Sequence, residues 1–333
     1  MAKFPSQRKL HYKLEGIDDQ TMQSLGKLNL PKDLSILNRR GYASTTRKGV
    51  PLVFRCKVDF YIQSFLGHLF DDDGGALASV YQPDMQATLK FRGAQNNWVM
   101  KNAAVKWHAA LKAMRKSATI RHSDLGTYAH EIRYNLSTAT DTWLSPIDAD
   151  TGAVFTGGTW DTTRFTTYAD QDFGLKLVGT GTQEETSASL ADVQNFAYSY
   201  LLSRAQPLAD SNEHTSETPA DYSILKTMLE GSAFEDTSTR VHDAREDAED
   251  QGDNPPYELI DISDGGDQDH DITQSIELGR AVAGMGASYG SMLVDIPFGL
   301  ADCLGTIMQF ATQADEPDGF MAVEVLDIFE MQG

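Results

Sequence analysis

The chain has 333 residues, 41% of them apolar and 9% aromatic, enough to bury one large core or two ordinary ones. It carries 28 Lys and Arg against 48 Asp and Glu, a net charge of −20, and no apolar run approaches the roughly 18 residues that a membrane-spanning helix needs. The start, MAKFPSQRKLHYK, lacks the apolar stretch of a secretion signal, and Cys56 and Cys303 have neither metal-site nor disulfide spacing, so membrane-spanning, disulfide-framework and zinc-module classes are set aside and both thiols are expected free and buried.

The charge is uneven along the chain. Residues 1–122 hold 20 basic against 9 acidic side chains, a net of +11, and residues 123–333 hold 8 against 39, a net of −31. So steep an asymmetry implies two electrostatic environments, one of them an anionic partner, which the overall acidity hides.

Residues 1–50 read as a basic arm, weakly apolar and rich in Gly, Pro, Ser and Thr, extended and ordered only by its neighbours. The body then begins at PLVFRCKVDFYIQ. Leu52, Phe54, Cys56, Val58, Phe60 and Ile62 alternate with Val53, Arg55, Lys57, Asp59, Tyr61 and Gln63, which predicts a half-buried strand. A second strand follows at MQATLKFRG, with Met85, Ala87, Leu89 and Phe91 on one face and Gln86, Thr88, Lys90 and Arg92 on the other. In both strands the polar face carries basic residues.

Residues 96–118 predict a helix. Met100, Ala104, Trp107, Leu111, Met114 and Ala118 recur at steps of four and three, and Asn96 or Asn97 can cap the start. Lys101, His108, Lys112 and Arg115 form a second stripe, and the segment contains no acidic residue. Strand-like runs follow at YAHEIRYNL, TRFTTYA and DFGLKLVG, with a Thr-, Gly- and Asp-rich loop region over 136–163. SLADVQNFAYSYLLSRAQP and ADYSILKTMLEG predict two helices, the first ended by Pro207 and the second by Gly231, before the acidic run EDTSTRVHDAREDAEDQGD. Strands return at YELIDIS, TQSIELGRAVAG, SYGSMLVDIPFG, ADCLGTIMQFA and GFMAVEVLDIFEM. About ten strands with two helical excursions and no regular βαβ alternation predict a mainly β chain. The expected fold is an antiparallel jelly-roll sandwich over residues 51–333, with helical insertions near 96–118 and 187–250 and early strands paired to late ones; a double jelly roll is the alternative.

Catalytic motifs fail on context. GASYG at 286–290 matches G-x-S-x-G, but β-like sequence follows Ser288 and the last histidine, His270, precedes it. GMGASYG lacks the strand–turn–helix setting of a dinucleotide site, HEIRY stops short of HExxH, and no P-loop is present. No enzyme is expected. DISDGGDQDHD offers Asp267, Asp269 and Asp271 as hard oxygen ligands for Ca²⁺, although Ile272 and Leu278 stand where an EF-hand needs Gly and Glu; a solvated acidic loop is the plainer reading, and no other cofactor is implied. Asp71, Asp72 and Asp73 raise the same question more weakly.

The basic helix invites a functional reading because its cations have no Asp or Glu at helical spacing to pair with. Lys9, Lys13, Arg39, Arg40, Arg47 and Lys48 of the arm join Lys101, Lys112, Arg115 and Lys116 of the helix as candidate nucleic-acid-binding residues. With few aromatics beside them, they suit phosphate neutralisation rather than base readout.

Taken together, DLSILNRRGY at 33–42, NNWVMKNAAVKWHAALKAM at 96–114, LGTYAHEIRY at 125–134, GDNPPYE at 252–258 and VDIPFGL at 294–300 resemble the jelly-roll capsid proteins of small circular single-stranded DNA viruses found in environmental samples. The resemblance covers about a fifth of the chain. It implies a structural subunit, localised to the virion and to the host cell during assembly, that self-assembles into an icosahedral shell around a nucleic-acid genome, with single-stranded DNA inside and no membrane partner. The arm departs from such families in being mildly basic rather than a dense Arg tract. A soluble β-sandwich binding or attachment protein without nucleic-acid contact is the alternative.

Overall fold

The computed structural model describes residues 7–15, 17, 21–62, 86–126, 129, 131–137, 143–158, 160–166, 172–179, 193–205, 225, 228–229, 275–284, 289–308 and 319–332. Its architecture is mainly β, built from antiparallel sheets. Strands β1 (Lys9–Leu14), β11 (Gly319–Glu330), β3 (Leu52–Ile62) and β9 (Tyr289–Pro297) form one four-stranded sheet in the order β1-β11-β3-β9. Strands β2 (Gln23–Asn29), β10 (Leu300–Met308), β4 (Gln86–Gly93) and β8 (Ile276–Gly284) form a second in the order β2-β10-β4-β8. Every pairing within these two sheets is antiparallel, and early strands lie beside late ones as expected.

Period-two patterning makes the core between the sheets. Phe54, Cys56, Val58 and Phe60 of β3 point inward, as do Leu10, Tyr12 and Leu14 of β1, Met321, Val323 and Val325 of β11, and Met292, Val294 and Ile296 of β9. Ala87, Leu89 and Phe91 of β4, with Ala301 and Cys303 of β10, meet them from the second sheet. Both cysteines are free and buried, and burial pushes the Cys56 thiol up to about 12, so neither is poised as a thiolate. Glycine is required at the β9–β10 turn: Gly299 has φ +69°, and a Cβ there would fall 2.6 Å from Pro31 Cδ and 2.9 Å from the Phe54 ring.

The boundary expected at residue 50 falls inside the fold. In place of an arm, Lys9–Leu14 and Gln23–Asn29 are strands and Leu30–Asn38 is a helix, α1, capped by the Asn29 side chain accepting from the Lys32 N–H at 3.1 Å. KLHYKL is short enough for its alternation to be lost among its basic residues, yet Leu10, Tyr12 and Leu14 are all buried.

A second apolar cluster sits where β3 and β10 begin and β4, β9 and β11 end. Helices α2 (Trp98–Ser117) and α3 (Phe196–Ala205) and the small sheet β5 (Phe165–Thr166), β6 (Asp172–Lys176) and β7 (Val193–Asn195) pack there against Val53, Ala94, Phe298, Leu300 and Met331. Of the predicted helix at 189–207, the described residues are a strand over Val193–Asn195 and a helix over Phe196–Ala205. Val193–Asn195 pair in parallel with Gly174–Lys176, so tertiary pairing overrides the helical spacing of Val193. Among the described residues, TRFTTYA contributes β5, and YAHEIRYNL gives an isolated bridge from Asn135 to Lys176. Leu225 and the helical Met228 and Leu229, from the predicted helix at 220–231, join this second cluster.

Candidate nucleic-acid interface

Helix α2 positions the main group of candidate residues. Asn97 caps it, its side chain accepting from the Met100 N–H at 2.9 Å. Val99, Met100, Ala103, Ala104, Trp107, Ala110 and Leu111 bury one face, Met114 is half-buried, and Ala118 ends the helix in solvent. The predicted apolar stripe thus holds except at its last residue. Trp107 is fully buried; its indole N–H donates to the Phe196 carbonyl at 3.1 Å, and its ring meets Phe165 edge-on at 5.0 Å. Arg115 and Lys116 lie in the last turn, where cations oppose the partial negative charge of the helix end.

The polar stripe divides by environment. Lys112 and Lys116 are exposed and make no ion pair among the described residues. Lys101 is half-buried. Arg115 is also half-buried, and its guanidinium donates to the Ala129 carbonyl, a structural role of which sequence spacing carries no sign. His108 lies beneath the turn at 46–49. Gly49, with φ +85°, brings the backbone so close that a Cβ would stand 2.6 Å from His108 Cβ. That turn is closed by Gly49 N–H to the Thr46 carbonyl at 2.9 Å and carries Arg47 and Lys48 into solvent above α2. Burial, then the nearby Arg115, hold the His108 pKa below its ordinary value; a hydrogen bond to the Arg47 backbone works against this, and Lys112 adds to it. Arg47 and Lys48 therefore join Lys112, Arg115 and Lys116 around one end of α2, although more than 60 residues separate them in sequence.

The remaining candidates lie elsewhere. Lys9 and Lys13 project from the outer face of β1, Lys9 opposite Glu324 in register and Lys13 paired with Glu15 at 2.9 Å. Arg39 and Arg40 are exposed at the end of α1. Arg40 lies over the Tyr42 ring at 5.2 Å and, with Arg8, Leu34, Val325, Asp327 and Ile328, lines a pocket of about 200 Å³. The basic faces of β3 and β4 are matched by acids: Arg55 meets Asp295 through two bonds of 2.8 Å, Lys57 meets Asp59 at 3.3 Å, and Lys90 meets Glu277 at 3.4 Å.

Asp267, Asp269 and Asp271, the proposed calcium ligands, lie outside the described residues, as do Asp71–Asp73, Ser288 and the acidic run at 235–253. Among the described residues, no three His, Cys, Asp or Glu side chains converge as a metal site, and no helix is long and apolar enough to cross a membrane. One buried group has no signal in the sequence. Asp33 is fully buried, accepts the Tyr12 hydroxyl at 2.7 Å through Oδ2, and has no partner for Oδ1 among the described residues. Comparison with protein families, with curated proteins and with solved structures finds no match to this chain.

Proposed function

We propose that this chain is the shell-forming subunit of a virus, a jelly roll that assembles with copies of itself into a closed icosahedral capsid around a nucleic-acid genome. The order of the eight sandwich strands carries this reading. Counted inward from the two ends, β1 pairs with β11, β2 with β10, β3 with β9 and β4 with β8, and successive pairs go to opposite sheets. A long antiparallel ribbon rolled over itself gives that order, and two interlocked Greek keys of this kind recur in capsid and lectin domains. The connections between β2 and β3 and between β4 and β8 hold the described helices at one end of the sandwich, which fits helical insertions on a jelly roll.

The exposed cations of α2 and the 46–49 turn support a genome-facing role for that end. Their spacing suits phosphate neutralisation, and among the described residues Arg47, Lys48, Lys112 and Lys116 have no acidic partner of the kind that balances β3 and β4. Those balanced strand faces favour the second reading, a sandwich that binds without nucleic acid. Electron microscopy of the purified chain decides between them: closed shells of uniform diameter are expected, and a species that stays monomeric at high concentration across salt conditions overturns the capsid reading.

A further inference from the structure

The register of the first sheet puts three aromatic residues in one row. Lys13 stands opposite Phe320, Phe320 opposite Tyr61, and Tyr61 opposite Tyr289, so the row crosses all four strands on the outer face. Tyr61 and Tyr289 are 42% and 54% exposed, with ring centroids 6.0 Å apart and planes at 28°. Leu293 of β9, 63% exposed, extends the apolar surface two rows away, and Ser291 and Asp59, hydrogen-bonded at 2.7 Å, lie between.

Charge narrows the ligand. Lys9, Lys13, Lys57 and Arg55 on this face stand among Glu324, Asp59, Asp295 and Asp327, four cations with four carboxylates. Arg55–Asp295 and Lys57–Asp59 are direct pairs. A polyanion gains little here, because its binding depends on net positive charge releasing counterions. A second copy of the same face would have to desolvate the charged rows flanking a single aromatic row, at a cost that row alone does not offset. A neutral sugar fits better. The C–H bonds on one face of a pyranose ring are weakly positive and pack on the negative face of an aromatic ring, while the paired carboxylates and hydroxyls beside the row can bond its hydroxyl groups.

We propose that the row Phe320–Tyr61–Tyr289 is a stacking platform for a neutral oligosaccharide. This goes beyond the assembly reading and stands whether or not shells form. The full chain is applied to a printed panel of neutral glycans and, separately, to an immobilised oligo-dT strand. Retention on at least one neutral glycan is expected. It should fall at least about tenfold in the Tyr61→Ala/Tyr289→Ala variant and persist within about threefold in Tyr61→Phe/Tyr289→Phe, which keeps both rings. Because both positions are exposed, the Tm of each variant should stay within about 2 °C of the parent. The proposal is overturned if no glycan is retained above the double-Ala background, if the double-Ala variant instead loses its hold on oligo-dT, or if it loses only self-association. Shells seen by microscopy without glycan retention reject the platform alone, and glycan retention without shells rejects the capsid reading alone.

Discussion

Asp33 is a carboxyl shut away from water in the first turn of α1. The Tyr12 hydroxyl is its one hydrogen-bond donor among the described residues, and Lys32 next to it on the helix gives only partial compensation. Burial outweighs both and raises its pKa to about 7. The folded chain therefore holds this proton where the unfolded chain, near the ordinary value of 3.8, has released it. Stability from this group is fully present below about pH 4, declines as pH rises, and is gone above about pH 7, a total on the order of 4 kcal/mol. Urea unfolding measured from pH 4 to pH 8 should show that decline, and Asp33→Asn, which carries no proton to lose, should flatten it. An equal slope in both proteins would mean that other groups govern the window. Trp107 offers a test of the opposite kind. Trp107→Ala removes a fully buried ring and its bond to Phe196, with an expected cost of about 3–5 kcal/mol at any pH in this range, read from the same unfolding curves.

At the scale of elements, α2 separates what patterning could tell from what it could not. Its cap, its length and its buried face were legible because each depends on spacing within about twenty consecutive residues. The fate of its cations was not, since that depends on distant segments: the Ala129 carbonyl occupies Arg115, and the 46–49 turn covers His108. Of the late strands, β8, β9, β10 and β11 lie where the sequence placed them, and the one expected at YELIDIS lies outside the described residues. β7 was missed because a three-residue strand carries too few positions for a period to register. The same distinction shapes the test of the interface. Replacing Arg47, Lys48, Lys112 and Lys116 with Gln should leave the thermal transition nearly unchanged, as exposed charges contribute little alone. Binding to single-stranded DNA should weaken, and the slope of log K against log salt should flatten by about 0.7 for each phosphate no longer neutralised. Arg115→Gln should instead lower Tm, because it frees a carbonyl that the guanidinium now satisfies. A quadruple variant with the parental salt slope would remove α2 from the interface.

At the scale of the molecule, the fold sets part of the sequence's charge asymmetry against itself among the described residues. An order that sets each early strand beside a late one brings the basic first third against the acidic last third, and Arg55–Asp295 and Lys90–Glu277 are the direct result. Charge blocks along a chain therefore say little about charged faces in a fold that pairs its two ends. The same topology decides what the first fifty residues are. A detachable arm can be removed with the shell domain still folded, and composition alone suggested such an arm here. In this fold β1 is hydrogen-bonded to β11 along its length, β2 to β10, and Leu10, Tyr12, Leu14, Leu28, Leu30 and Leu34 lie in the sandwich core. Deleting residues 1–50 would expose an edge of β11 and of β10 and uncover the apolar side of both sheets. The truncated chain should lose its cooperative thermal transition, bind a hydrophobic dye strongly and aggregate, whatever the salt concentration. A truncated chain that melts cooperatively within a few degrees of the parent would show that these strands only decorate the sandwich, and would restore the arm.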